Sequence, residues 1–98
     1  MRFDDTARFT PAPSAHWREL DGRAFVLDGD TGDHFETNAV GGRIFRLAAE
    51  GHAVAGIRDA LVAAFAVARP EVDDDLQTYL AALVERGLLR LAGDGERR

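Results

Sequence analysis

Ala24-Phe25-Val26-Leu27-Asp28-Gly29-Asp30-Thr31-Gly32-Asp33-His34-Phe35-Glu36-Thr37-Asn38 is the stretch whose reading decides the fold. Its first four residues are an apolar run suited to a strand, and the Asp/Gly/Thr cluster that follows is turn chemistry. From Asp33 to Thr37 the period is two, with Phe35 and Thr37 on one face and His34 and Glu36 on the other. Asn38 then suits a helix N-cap, because its side chain can accept a free N–H of the first turn. Upstream, Trp17 and Leu20 lead into Asp21-Gly22, a dipeptide that favours a tight hairpin turn. Three short strands joined by turns, beginning near His16, make an antiparallel meander.

Helical periodicity takes over after Asn38. Val40, Ile44, Leu47 and Ala48 fall on one stripe, widened by Phe45, and Gly51 is placed to end that helix. Gly41 and Gly42 inside it each cost about 1 kcal/mol relative to alanine. They point either to close approach of another backbone or to a weak first turn. A second helix is expected over about 54–67, with Val54, Ile57, Leu61, Ala64 and Phe65 inward. A third runs from Pro70–Asp73 to Arg86, striped by Val72, Leu76, Tyr79, Leu80 and Leu83 and ended by Gly87. Asp73, Asp74 and Asp75 complement its dipole. Leu88-Leu89-Arg90-Leu91 reads as a short strand or a packed tail. Residues 1–15 read as a loose N-terminal segment partly held by Phe3 or Phe9, residues 16–92 as one domain, and residues 93–98 as a frayed C-terminus.

Composition excludes more than it assigns. The chain has 98 residues, 46% hydrophobic and 30% charged, which is ordinary for one globular domain. There is no cysteine, so disulfides, thiolate metal sites and a Cys nucleophile are excluded. All 12 basic residues are arginine, which removes lysine chemistry as well. The net charge of −5 argues against nucleic acid or an anionic membrane as the main partner. No apolar run approaches a membrane span, and the acidic start lacks the apolar segment of a secretory signal, so a cytoplasmic location is expected.

Catalytic readings fail one by one. Asp28 to Ala39 superficially resembles a calcium loop, but its fifth, sixth and twelfth positions hold Gly32, Asp33 and Ala39, the wrong residues for oxygen ligation and the turn. His16, His34 and His52 lack metal-ligand spacing. The glycines form neither a dinucleotide fingerprint nor a Walker loop. The lone serine, Ser14, lies outside any elbow motif. Asp73–Asp75 suit a helix cap better than a cation. No metal and no cofactor is expected, and binding is a better reading than catalysis.

A meander followed by three helices is an α+β, winged helix-turn-helix-like layout with the strands first. A DNA-binding regulator of this shape needs a basic recognition helix, whereas the third helix carries Asp73, Asp74, Asp75 and Glu85 against Arg86. Peptide capture is the other option: the edge of a meander can accept an extended peptide as an added strand, with the third helix as the opposite wall. A dimerising structural subunit is a further alternative, so a homodimer stays open.

From about His16 to Leu91 the chain resembles the PqqD-like proteins, the recognition elements for precursors of ribosomally synthesised, post-translationally modified peptides. The resemblance rests on the order and spacing of Ala24–Asp28, Thr31–Asn38, Arg43-Ile44-Phe45-Arg46-Leu47, Glu50-Gly51, Ile57…Leu61…Phe65, Asp75-Leu76…Tyr79-Leu80…Leu83 and Gly87-Leu88-Leu89. Thr37 departs from the leucine common before the helix, and the pair Gly41-Gly42 is unusually glycine-rich. The resemblance implies a non-catalytic peptide chaperone. It would hold the leader of a precursor peptide as an added strand and present it to a modifying enzyme such as a radical-SAM protein, a cyclase or a leader peptidase. Carried over, the contact positions are Asp33, His34, Phe35, Glu36 and Thr37 on the strand, and Asp75, Leu76, Tyr79, Leu80 and Leu83 on the helix. For Phe35, Leu76, Leu80 and Leu83 a core role is the competing reading.

Overall fold

The structure, a computed structural model, describes residues 2–65 and 68–92. The elements run β1 (Arg8–Pro11), β2 (Ala15–Leu20), β3 (Arg23–Asp28), β4 (His34–Glu36), α1 (Ala39–Ala49), α2 (Val54–Phe65), α3 (Arg69–Glu85) and β5 (Leu89–Ala92). The meander is an antiparallel sheet in the order β2-β3-β4. Asp21 and Gly22 both have positive φ, 55° and 80°, the backbone twist a two-residue hairpin needs, and Leu20 pairs with Arg23 across it. Asn38 caps α1 through its side chain, which accepts the Gly41 N–H at 2.8 Å. α1 and α3 end before Gly51 and Gly87, at the stops expected from sequence.

One face of the meander packs on α1. Ala24 and Val26 are buried there, and the Trp17 ring meets Phe45 edge-on at 4.9 Å. Gly42 is the closest approach: a Cβ on it would lie 2.3 Å from the Gly22 carbonyl oxygen and 2.9 Å from the Ala24 nitrogen. Of the two explanations for the glycine pair, close backbone contact is the one observed. On the other side of α1, the core is closed by Ile57 and Leu61 of α2 and by Leu76, Leu80 and Leu83 of α3.

The N-terminal segment corrects the sequence reading. Rather than a loose leader, residues 8–11 form β1, paired antiparallel with β5 (Phe9↔Leu91) in a second, two-stranded sheet. Phe3 and Phe9 are both buried and meet edge-on at 5.1 Å. The carbonyls of Ala7 and Asp5 accept the N–H groups of Val54 and Ala55, so this segment satisfies the first turn of α2. Gln77 is buried because its amide grips the Phe3 backbone, accepting from N–H at 2.8 Å and donating to C=O at 3.0 Å. Arg58 is mostly buried between Asp5 (2.6 Å) and Asp73 (3.0 Å). Asp73 is thus an ion-pair partner rather than a free cap, and Arg2 joins it from the N-terminal segment. The frayed C-terminus expected at 93–98 and the last two residues expected in the second helix lie outside the described residues.

Candidate functional site

β4 is an edge strand, paired with β3 and, among the described residues, unpaired on its other side. The ladder register is Phe25↔Glu36, Val26↔Phe35 and Leu27↔His34. Flanking it, the Asp28 N–H reaches the Asp33 carbonyl at 2.8 Å and the Thr37 N–H reaches the Ala24 carbonyl at 3.0 Å. Bonded pairs alternate in an antiparallel ladder, so residues 33, 35 and 37 turn their main-chain groups toward β3. His34 and Glu36 therefore turn theirs to the open side. That edge offers two N–H donors and two C=O acceptors to an incoming strand.

α3 lies beside this edge. Arg86 stands over the Phe35 ring at 4.8 Å from its centroid and pairs with Asp33 at 3.7 Å. Tyr79, two helical turns back, donates its hydroxyl to Asn38 Oδ1 at 3.1 Å. Its ring is seated by Gly41, where a Cβ would come within 2.6 Å of Tyr79 Cε1. By the spacing of three and four residues, Asp75, Tyr79 and Ala82 share one face of α3 with Arg86, its C-cap residue, and on this face Tyr79 and Arg86 reach the β4–α1 corner. Phe35 is half-buried beneath Arg86, between the strand edge and the end of α3.

The candidate residues divide accordingly. His34 and Glu36 are exposed on the strand, Phe35 is half-buried beneath Arg86, Tyr79 is half-buried against Asn38, and Asp75 is exposed one turn before it on α3. Leu76, Leu80 and Leu83 are corrected to core: each is fully buried, because the apolar stripe of α3 faces α1 and α2. Thr37 is corrected too; it is buried, and its hydroxyl accepts the Ala24 N–H at 2.9 Å and donates to the Asn38 carbonyl. Its polar side chain thus completes the β3 ladder where leucine is common. Arg86, Ala82 and Gly41 were missed. The first two lie seven and three residues beyond Tyr79, a signal that was present in the spacing.

The surroundings are mostly acidic. Arg23 pairs with Glu36 and Arg86 with Asp33, while Asp74 and Asp75 have no cationic partner among the described residues. Asp28, at the start of the β3–β4 turn, accepts the Asp30 N–H at 2.9 Å, and this bond holds its carboxyl below the ordinary carboxylate range. The turn that resembled a calcium loop is thereby closed on itself.

The sequence profile of the family described as coenzyme PQQ synthesis protein D (PqqD) matches residues 23–89. Among solved structures, TbiB1 in complex with the TbiA(beta) leader peptide superposes with a TM-score of 0.78 at 34% identity, covering 87% of this chain and 99% of that one. A lasso peptide synthetase B1 complexed with the leader peptide superposes with a TM-score of 0.77 at 24% identity, covering 86% and 99%. No match was found among curated protein sequences.

Proposed function

The chain belongs to the PqqD family, and we propose that it is a non-catalytic binder of the leader region of a ribosomally made precursor peptide. The observation that carries this reading is the open β4 edge with Tyr79 and Arg86 of the α3 helix and its C-cap beside it. The leader adds as a fourth strand: main-chain bonds to His34 and Glu36 fix its register, and side chains toward α3 supply specificity. The leader-bound state of TbiB1, which is 34% identical to this chain, supports the same use of the domain. The chemistry belongs to the enzyme that receives the loaded domain, a radical-SAM protein, a cyclase or a leader peptidase.

The acidic surroundings favour a leader with basic residues, held more weakly as salt screens the attraction. Titrating the cognate leader into labelled protein tests the whole reading. Amide shifts are expected at 33–37 and along the exposed face of α3 from Asp75 to Arg86. A titration that leaves both segments unmoved refutes it.

A further inference from the structure

We infer that the outer face of the β2-β3-β4 sheet is the docking surface for the enzyme that works on the bound peptide, and that the peptide itself completes this surface. The inference rests on the proposed function. Its starting observation is an exposed apolar row on a sheet face against which no other element packs among the described residues, Arg23 alone standing over the Phe25 ring. Leu20, Phe25 and Leu27 are 56%, 37% and 45% exposed, although the same strands bury Ala24 and Val26 on the inner face. Cross-strand partners share a face, so the register sets Phe25 between Arg18 and Glu36, and Leu27 between His16 and His34. An apolar centre with a polar rim is the anatomy of a protein interface.

Size and charge choose the occupant. Three strands about 4.8 Å apart and six residues of about 3.4 Å rise give a face of roughly 300 Å². A stable two-protein interface needs roughly 800 Å² per partner. The bare face is therefore too small for a lasting dimer of this chain. A strand added to β4 continues the sheet, and its alternate side chains stand in the next column beside His34 and Glu36 on this same face. Only a partner that touches domain and peptide together gains the larger area, which is what an enzyme needs to tell a loaded domain from an empty one. On a chain of net charge −5, Glu36 is the lone acid on this face among the described residues and is already paired with Arg23. Arg18 is exposed there without an ion pair among the described residues. The complementary partner surface is apolar with an acidic rim.

The test uses the full chain, fluorescein-labelled cognate leader and the purified enzyme that converts the cognate precursor. With wild-type protein, leader should raise the enzyme's affinity for the chain at least tenfold. The double variant Phe25→Thr/Leu27→Thr keeps strand-forming residues at both exposed sites. It should retain circular dichroism and bind leader within twofold of wild type, yet lose at least tenfold in enzyme affinity when loaded. Enzyme affinity unchanged in that variant, or indifferent to leader in the wild type, overturns the inference while leaving leader binding intact. Sedimentation showing a wild-type dimer that the variant disperses assigns the face to a second copy and overturns it as well. Failure of the wild type to bind leader at all instead refutes the proposed function, and this inference with it.

Discussion

Replacing a helical glycine by alanine should have opposite signs at Gly42 and Gly56. Propensity alone predicts a gain of about 1 kcal/mol at each, because alanine loses less backbone entropy on folding. At Gly56, in the first turn of α2, a Cβ meets no heavy atom within 4 Å, so about 0.5–1 kcal/mol of that gain should appear. At Gly42 the Cβ falls 2.3 Å from the Gly22 carbonyl oxygen and 2.9 Å from both the Ala24 nitrogen and the Arg23 Cα. All three are backbone atoms of the β2–β3 hairpin, so no side-chain rotation relieves the contact. Overpacking of this kind costs about 1–3 kcal/mol, and a backbone wall puts it at the upper end. The net effect at Gly42 is a loss of about 1–2 kcal/mol, separating the two variants by about 2–3 kcal/mol. For a domain of this size that corresponds to roughly 10–20 °C in Tm. Urea titrations followed by far-UV circular dichroism measure both. A Gly42→Ala variant as stable as Gly56→Ala would refute the claim that hairpin and helix are in backbone contact.

Proline tests the edge assignment: Glu36→Pro removes an N–H that faces the open side, so the fold should survive and leader affinity should drop about tenfold, the worth of one hydrogen bond and a blocked edge. Phe35→Pro removes an N–H that faces β3 and should instead unfold the meander, read as lost amide dispersion. Acid stability should depend on Arg58, whose hydrogen bonds hold Asp5, and together with Arg2 hold Asp73, below their ordinary value of 3.8. Depressed carboxylates stabilise the fold above that value and lose the contribution as pH falls below it. Arg58→Met should therefore lower stability at neutral pH and flatten the acid limb below pH ~4 in urea titrations. Gln77→Ala should leave α3 helical but release the Phe3 backbone, seen as faster amide exchange over 3–11.

What was legible in the sequence was local. Asp21-Gly22, Asn38 and the glycines after α1 and α3 act within a turn of themselves, so their roles need no tertiary knowledge. β1 could not be read this way: Arg8–Pro11 has no period of its own and becomes a strand only against Leu89–Ala92, about eighty residues away. Gln77 and Arg58 look like surface residues because their types usually are. Their burial depends on the Phe3 backbone and on two carboxylates that the fold brings to them. The α3 stripe was read correctly as one face, but periodicity cannot say whether a face meets core or ligand. Leu76, Leu80 and Leu83 proved to be core, and the adjoining face, about a quarter of a turn away, carries Tyr79 and Arg86. Arg86 escaped notice because its partner, Phe35, is fifty residues distant and contacts it through the ring face.

The shortness of β4 limits what its edge can contribute. Three residues expose the main-chain groups of His34 and Glu36, at most four hydrogen bonds. At about 0.5–1.5 kcal/mol net each, these bonds supply about 2–6 kcal/mol. Association alone costs about 4–15 kcal/mol in lost translational and rotational freedom. Strand pairing by itself therefore yields little or no binding, and so short an edge, bounded by the Asp33–Arg86 and Glu36–Arg23 pairs, also resists pairing with a second sheet. Affinity must come from side chains that the added strand sends toward Phe35, Tyr79, Ala82 and Arg86. A leader fragment trimmed to the residues that pair with β4 should consequently bind no tighter than about 1 mM, a binding free energy of roughly −4 kcal/mol. Extending it along α3 should recover affinity, and Ala82→Glu, which puts bulk and charge on that wall, should abolish the recovery. Calorimetry on the fragment series decides the matter: micromolar binding by the trimmed fragment would show that the strand edge, and not the helix wall, holds the peptide.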